Sequence, residues 1–305
     1  MPLPKPEGAL RALHISDVHV DVPLRSVPWR GWLNKRLVGG ANYVLNRSRH
    51  FRSVRQKLAA LDRFRRAQEV DLVLCTGDYT VLGTEAELAA ARDLVDPLTE
   101  APMGFVTVPG NHDVYVADAI GRFKHFFSDL LGTDMPDRRV DGRWPVVRFI
   151  GDTVAVVAVD SARPNPQPWR SSGRVPAEQI EALRSILDDP AVRDRFVFVL
   201  LHYAPRLESG RPDRFTHGLL NADEFLAAIA DVPRGAVLHG HVHHCYRVRV
   251  PGVGPTLFGA GSTTQDAREG LWLFDVTDRT VRATRGGWVE DRYDLTGSTF
   301  TVRVG

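Results

Sequence analysis

Residues 10–19 read LRALHISDVH: a largely apolar run closes at Ile15, and a carboxylate and an imidazole, Asp17 and His19, follow within four positions. A short apolar run bounded by polar residues is the signature of a strand buried on both faces. The same arrangement recurs along the chain. Leu72 to Cys75 precedes Thr76-Gly77-Asp78, and Phe105 to Val108 precedes the PGNHD stretch that holds Asn111, His112 and Asp113. Phe196 to Leu201 runs into His202, and Ala236 to Leu238 precedes GHVH, with His241 and His243. Val154 to Val159 is a sixth such run. Between these strands lie amphipathic patterns: Phe51 to Gln68, with Phe51, Val54, Leu58, Leu61 and Phe64 on one face, then Glu85 to Leu94, Ala177 to Leu187 and Ala222 to Ala230. Strand–helix alternation of this kind predicts an α/β sandwich.

Nearer the C-terminus the helical pattern stops. Thr256–Phe258, Leu271–Val276, Thr280–Thr284, Gly287–Glu290 and Ser298–Val304 read as strands separated by turns. They are expected to form a second, more antiparallel sheet. No Gly/Ser/Pro linker sets them apart, so residues 1–305 read as one domain, with 265–305 as its β-rich end.

Composition narrows the class. The 305 residues are 43% hydrophobic and 25% charged, which excludes a disordered, collagenous or fibrous chain. Two cysteines, Cys75 and Cys245, form neither a disulfide framework nor a CxxC metal pair. No stretch reaches the roughly 18 apolar residues of a membrane span. The first residues also lack the apolar core of a signal peptide, so a soluble, cytoplasmic protein is expected.

The net charge of +2 is unevenly spread: Arg25 to Arg66 holds twelve Lys/Arg against the single acid Asp62. Such a block reads either as a solvated helical face or as a surface for an anionic partner. Residues 22–50 fall outside the strand–helix alternation and mix Trp29, Trp32 and Tyr43 with basic residues. Gly39-Gly40 divides this insertion into two short amphipathic helices. Trp with Lys/Arg suits peripheral contact with an anionic membrane, whereas a cap packed on the domain is the plainer alternative.

The chemistry gathers at strand ends. In an open α/β sheet, ligands bind in the crevice at the carboxyl ends of the strands, so five separate motifs are predicted to converge there. Asp17, His19, Asp78, Asn111, His202, His241 and His243 offer carboxylate, imidazole and amide donors, which suit divalent metals of borderline hardness. Seven candidate ligands match two metal ions sharing a bridging carboxylate. The loop after His202 carries Arg206, Arg211, Arg214 and His217, candidates for holding the rest of a substrate. His14 and Cys75 read as core and His239 as structural, while His244 and Cys245 are secondary candidates for lining the site.

The ordered set DxH, GD, GNHD, H and GHxH resembles the calcineurin-like metallophosphoesterase superfamily, and within it the bacterial cyclic-nucleotide-phosphodiesterase-like branch. The resemblance runs from about Leu10 to Thr264. It implies a four-layer α/β/β/α sandwich of two mixed sheets flanked by helices. By motif, Asp17, His19 and His243 would hold one metal ion, Asn111, His202 and His241 the other, and Asp78 would bridge them. His112 matches the family's catalytic histidine, with Asp113 expected to orient its imidazole.

The activity so implied is hydrolysis of a small phosphodiester, such as a cyclic nucleotide, by a water activated between two Mn, Fe or Zn ions, with His112 protonating the leaving oxygen. Three alternatives share the chemistry: a phosphomonoesterase, a nuclease, and a lipid-linked phosphoester or pyrophosphate hydrolase at a membrane surface. The resemblance extends to UDP-diacylglucosamine hydrolases, but those typically carry Arg where this chain has His112. Nucleic acid is not expected as a partner, since no DNA-binding module is recognisable. A non-catalytic scaffold is disfavoured because every ligand position is filled.

Overall fold

The computed structural model describes residues 2–20 and 53–303, apart from 115, 117, 118, 141, 166 and 168. The basic, Trp-containing insertion at 22–50 and its expected membrane contact lie outside the described residues.

Two six-stranded sheets are stacked face to face. The first runs β12-β11-β10-β1-β2-β3 and the second β4-β5-β6-β7-β9-β8. In the first, β1 (Leu10–Ile15), β2 (Leu72–Cys75) and β3 (Phe105–Thr107) are parallel. In the second, β5 (Val154–Ala158), β6 (Phe196–Leu200), β7 (Gly235–His239) and β9 (Thr256–Gly259) are parallel. Antiparallel β4 (Val146–Ile150) and β8 (Tyr246–Val248) close its edges.

The period-2 alternation of strand side chains sorts them into separate cores. Leu10 and Ala12 of β1 join Leu72, Phe198, Leu238 and Phe274 between the sheets. Leu13 and Ile15 face the other way, into a core with α1 (Val54–Ala67), α2 (Glu85–Thr99) and α3 (Ala119–Phe127). On the far face of the second sheet, Ala155, Val157 and Val199 meet Leu183 of α4 (Ala177–Leu187) and Phe225 of α5 (Ala222–Ala228). Helices cover both outer faces, so the four layers are α/β/β/α, and the central strands β2 (LVLC), β5 (VAVVA) and β6 (FVFVL) are apolar throughout because neither face meets water.

The C-terminal strands depart from the sequence expectation. Only β9 enters the second sheet. β10 (Leu271–Val276) pairs antiparallel with β1, and β11 (Thr280–Val289) and β12 (Arg292–Arg303) extend the same sheet outward. The edge of β1 opposite β2 must have its backbone groups paired once buried, and β10 supplies that pairing. The three short strands read after Thr280 are two long ones. Gly286-Gly287, which resembles a break in sequence, sits at a register shift inside β11.

Part of the basic block is neither a solvated face nor a free surface. Lys57 is 1% exposed and Arg65 is 4% exposed, Arg65 being paired with Asp62 at 2.7 Å. No helix among the described residues is long and apolar enough to cross a membrane.

Candidate metal centre

The motifs at the ends of β1, β2, β3, β6 and β7 meet in one place, and the backbone there is unusual. Asp17, His19, Asp78, His241 and His243 all have left-handed φ, between 45° and 70°. These five are the majority of the nine non-glycine residues in that region among the described residues. Each such residue costs on the order of 1–3 kcal/mol and persists only where its surroundings over-determine it. Two glycines make the convergence possible. A Cβ at Gly110 would lie 2.1 Å from Asp78 Oδ1, and one at Gly240 would lie 1.8 Å from Ser16 Oγ.

Each imidazole has one nitrogen committed to an oxygen acceptor. His19 Nδ1 donates to the Thr80 carbonyl at 3.0 Å and His202 Nδ1 to the Thr76 carbonyl at 2.7 Å. His241 Nε2 donates to the His217 carbonyl at 2.9 Å, and His243 Nδ1 donates to Gln265 Oε1. These partners each take one ring N–H, leaving the opposite nitrogen of each ring turned inward as the one that can take a metal ion or a proton. His19 Nε2 and His243 Nε2 face one another at 3.0 Å. Asn111 Oδ1 lies 3.1 Å from His202 Nε2 and 2.9 Å from His241 Nδ1.

The carboxylates complete two groups. Asp17 Oδ2 accepts the His241 backbone N–H at 3.0 Å, while its buried Oδ1 has no hydrogen-bond donor and sits 3.0 Å from His243 Nε2. Asp78 Oδ1 accepts the His112 backbone N–H at 2.8 Å. Its other oxygen, Oδ2, lies 3.8 Å from His19 Nε2 and 3.4 Å from His202 Nε2, and so touches both groups. Carboxylate, imidazole and amide donors crowded together in this way call for positive charge among them, and the donor set fits divalent metal ions. Asp17, His19, Asp78 and His243 could hold one; a neighbouring set, Asp213, His217 and His241, could also hold an ion.

The electrostatics agree with that need for positive charge. Burial would raise the carboxyls of Asp17 and Asp78, but the facing imidazoles hold both below the usual carboxylate range. Burial keeps His19 neutral, lowering it to about 3, and lowers His241 as well. At His202 burial is outweighed by Asp78, which raises it to about 9, and Asp17 likewise raises His243.

His112 stands at the edge of the first group, its ring 5.1 Å from that of His19 and perpendicular to it. Its Nδ1 donates to the Val81 carbonyl at 2.6 Å, which leaves Nε2 as the other functional nitrogen. The expected Asp113–His112 contact is not what orients this ring. The Asp113 carboxylate instead accepts the backbone N–H groups of Asp78, Tyr79, Thr80 and Gly110 at 2.8–3.0 Å, clamping the GD loop to the PGNHD loop.

A cleft of about 550 Å³ opens beside His241 and His243, lined among others by Trp169, Arg214, His217 and Gln265. Of the four residues proposed for the loop after His202, Arg214 and His217 line it. Arg206 is turned away and paired with Asp223, and exposed Arg211 is not part of the lining. His244 pairs with Glu208 at 2.9 Å, and the Cys245 thiol is buried against the Leu271 carbonyl. His14, Cys75 and His239 are fully buried, as expected.

Sequence reasoning missed the carbonyls of Thr76, Thr80 and Val81, because a backbone acceptor leaves no signature in residue type. It also missed Gln265, which follows His243 by 22 positions with no spacing rule to mark it.

The sequence model of the calcineurin-like phosphoesterase family matches residues 10–245, and the chain belongs to that family, the metal-dependent phosphoesterases. No curated protein matches it in sequence. Among solved structures, a dimetal phosphatase from Danio rerio is similar with a TM-score of 0.66 at 13% identity, over 97% of this chain and 99% of that one. A purple acid phosphatase from yellow lupin seeds is similar with a TM-score of 0.62 at 11% identity, over 99% of this chain and 55% of that one. At these identities the likeness is one of fold.

Proposed function

We propose that this chain, as a single domain over residues 1–305, is a binuclear metal-dependent phosphodiesterase acting on a small diester of the cyclic-nucleotide kind. One observation carries the reading: four imidazoles, each with one nitrogen held by an oxygen acceptor, two carboxylates and an amide oxygen aim their remaining donor atoms at a common interior, with Asp78 Oδ2 between the two halves. In this reading Asp17, His19 and His243 hold one ion, Asn111, His202 and His241 the second, and Asp78 both. Bound there, two divalent ions of Mn, Fe or Zn would polarise the phosphoryl group and lower the pKa of a water toward neutrality.

The chain's own residues supply the remaining steps. Asp78 and Asp17 are held by backbone N–H donors, so their metal-facing oxygens need no reorganisation. The Val81 carbonyl keeps His112 Nδ1 protonated, so a proton gained at Nε2 can be passed to the departing alkoxide. The adjoining cleft supports a diester over a monoester, since it offers room, with Arg214 and Trp169 at its walls, for a second ester group.

The test is hydrolysis of bis-p-nitrophenyl phosphate beside p-nitrophenyl phosphate after loading with Mn²⁺, with Asp78→Ala as control. Faster cleavage of the diester, lost in the variant, is expected. Preference for the monoester would make the protein a phosphomonoesterase instead.

A further inference from the structure

Lys57 of α1 is a buried cation that touches none of the groups assigned above. It is 1% exposed, and its ammonium donates to the Thr264 carbonyl at 2.8 Å, Asp266 Oδ1 at 2.6 Å and Glu269 Oε1 at 2.5 Å. Three acceptors match the three N–H bonds of an ammonium, which is the condition for burying one without a large penalty. All three belong to a single loop, residues 262–269.

That loop is stitched to the strand-end turn bearing Asp17 and His19. Ser262 Oγ donates to the Asp17 carbonyl at 2.6 Å, Thr263 Oγ1 to the Ser16 carbonyl at 2.7 Å, and Thr264 Oγ1 to the Val18 carbonyl at 2.5 Å. Asp17 and His19 flank this seam in left-handed conformations that need such outside support. From the same loop, Gln265 Oε1 accepts the Nδ1–H of His243 and so sets which nitrogen of that ring faces inward.

We infer that Lys57 is a positioning residue for the first metal group: by anchoring loop 262–269 it sets the conformation of Asp17 and His19 and, through Gln265, the tautomer and aim of His243. The inference rests on the proposed metal centre. It adds a control point on a helix outside all five motifs, in a loop that begins 19 residues after the last ligand.

The experiment is Mn²⁺ titration by calorimetry of wild type, Lys57→Met, Gln265→Leu and the double variant. Arg11→Met serves as control: Arg11 is equally buried, on β1, in an ion pair with Asp275 at 2.6 Å that does not reach the loop. Lys57→Met should leave one ion binding as in wild type and weaken the other about 10- to 100-fold, the range for loss of a group that supports a ligand. Gln265→Leu should do the same, and the double variant should be no weaker than the weaker single, because both act along one path. Arg11→Met should lower Tm and leave both affinities unchanged.

If Lys57→Met does not fold, Asp266→Asn and Glu269→Gln loosen the same anchor and carry the same expectation. Wild type binding two ions with Lys57→Met, or both carboxylate variants, matching it within about twofold would overturn the inference alone. The same follows if the two effects multiply in the double variant. Wild type binding no Mn²⁺ would overturn the proposed centre and this inference together.

Discussion

His19 Nε2 and His243 Nε2 face each other at 3.0 Å, although the partners of both Nδ1 atoms leave a lone pair on each facing nitrogen. Two acceptors at that distance repel unless positive charge lies between or beside them. Protons can supply it in part, and divalent ions can supply it fully.

This substitution of protons by metal makes the chelator-stripped protein sensitive to pH. His202 is raised to about 9 from an ordinary 6.5, so the stability it contributes is complete below pH 6.5 and is lost as pH rises toward 9. His19, lowered to about 3, acts oppositely and takes stability away as pH falls from 6.5 toward 3. Above pH 7 the His202 slope remains, so Tm of the stripped protein should fall between pH 7 and pH 9. Saturating Mn²⁺ should remove the alkaline decline, because a metal ligand no longer carries the proton. A Tm that rises between pH 7 and 9 without metal would contradict the charge balance described for His202 and Asp78.

His112→Ala should keep both ions and lose about 10²- to 10⁴-fold in kcat, the usual worth of a general acid. The loss should be smaller for p-nitrophenolate, a good leaving group, than for an alkoxide. Metal content by elemental analysis and rates on an aryl and an alkyl diester check this. Equal losses on both substrates would remove the proton-donor role.

Asp113→Asn should behave differently, because Asp113 clamps two loops while the Val81 carbonyl holds the His112 ring. An amide placed against four backbone donors turns its own NH₂ toward some of them, and the unmade bonds should cost about 1–3 kcal/mol of stability. Tm and metal content should fall together, while the pH profile of the remaining activity keeps its shape. A displaced profile with unchanged Tm would return Asp113 to the catalytic apparatus.

Gly240→Ala tests the close approach of the strand ends. The added methyl would fall 1.8 Å from Ser16 Oγ and 2.4 Å from Asp17 Oδ2, both fully buried and unable to retreat. The variant should lose Mn²⁺ binding or fail to fold, by the overpacking cost of about 1–3 kcal/mol or more. Wild-type Mn²⁺ affinity in this variant would mean that the two loops are not held as tightly as described.

Much of this was legible because the fold repeats one device. A strand buried on both faces is a continuous apolar run, and the residue that ends it carries the function, so Asp17, Asp78, Asn111 and His202 declare themselves by position. Edge strand β4 was harder to see, since an antiparallel edge strand interrupted by Arg148 lacks that continuity. The partnership of β1 with β10 joins residues more than 250 positions apart and leaves no local trace. Spacing also misled at Asp113: adjacency to His112 in sequence suggested a pair, whereas the turn sends the two side chains to different partners. Lys57 shows the same limit, because a lysine in a basic helix looks solvated until the loop it pins is in place.

The central claim is that Asp78 joins two ion-binding groups, and Mn²⁺ stoichiometry in wild type and Asp78→Ala tests it most directly. Elemental analysis after dialysis against limiting free Mn²⁺ should find two ions per wild-type chain and loss of both, or retention of one weakly held, in the variant. Two tightly held ions in Asp78→Ala, or a single ion at saturation in wild type, would contradict a shared carboxylate at the centre of the site.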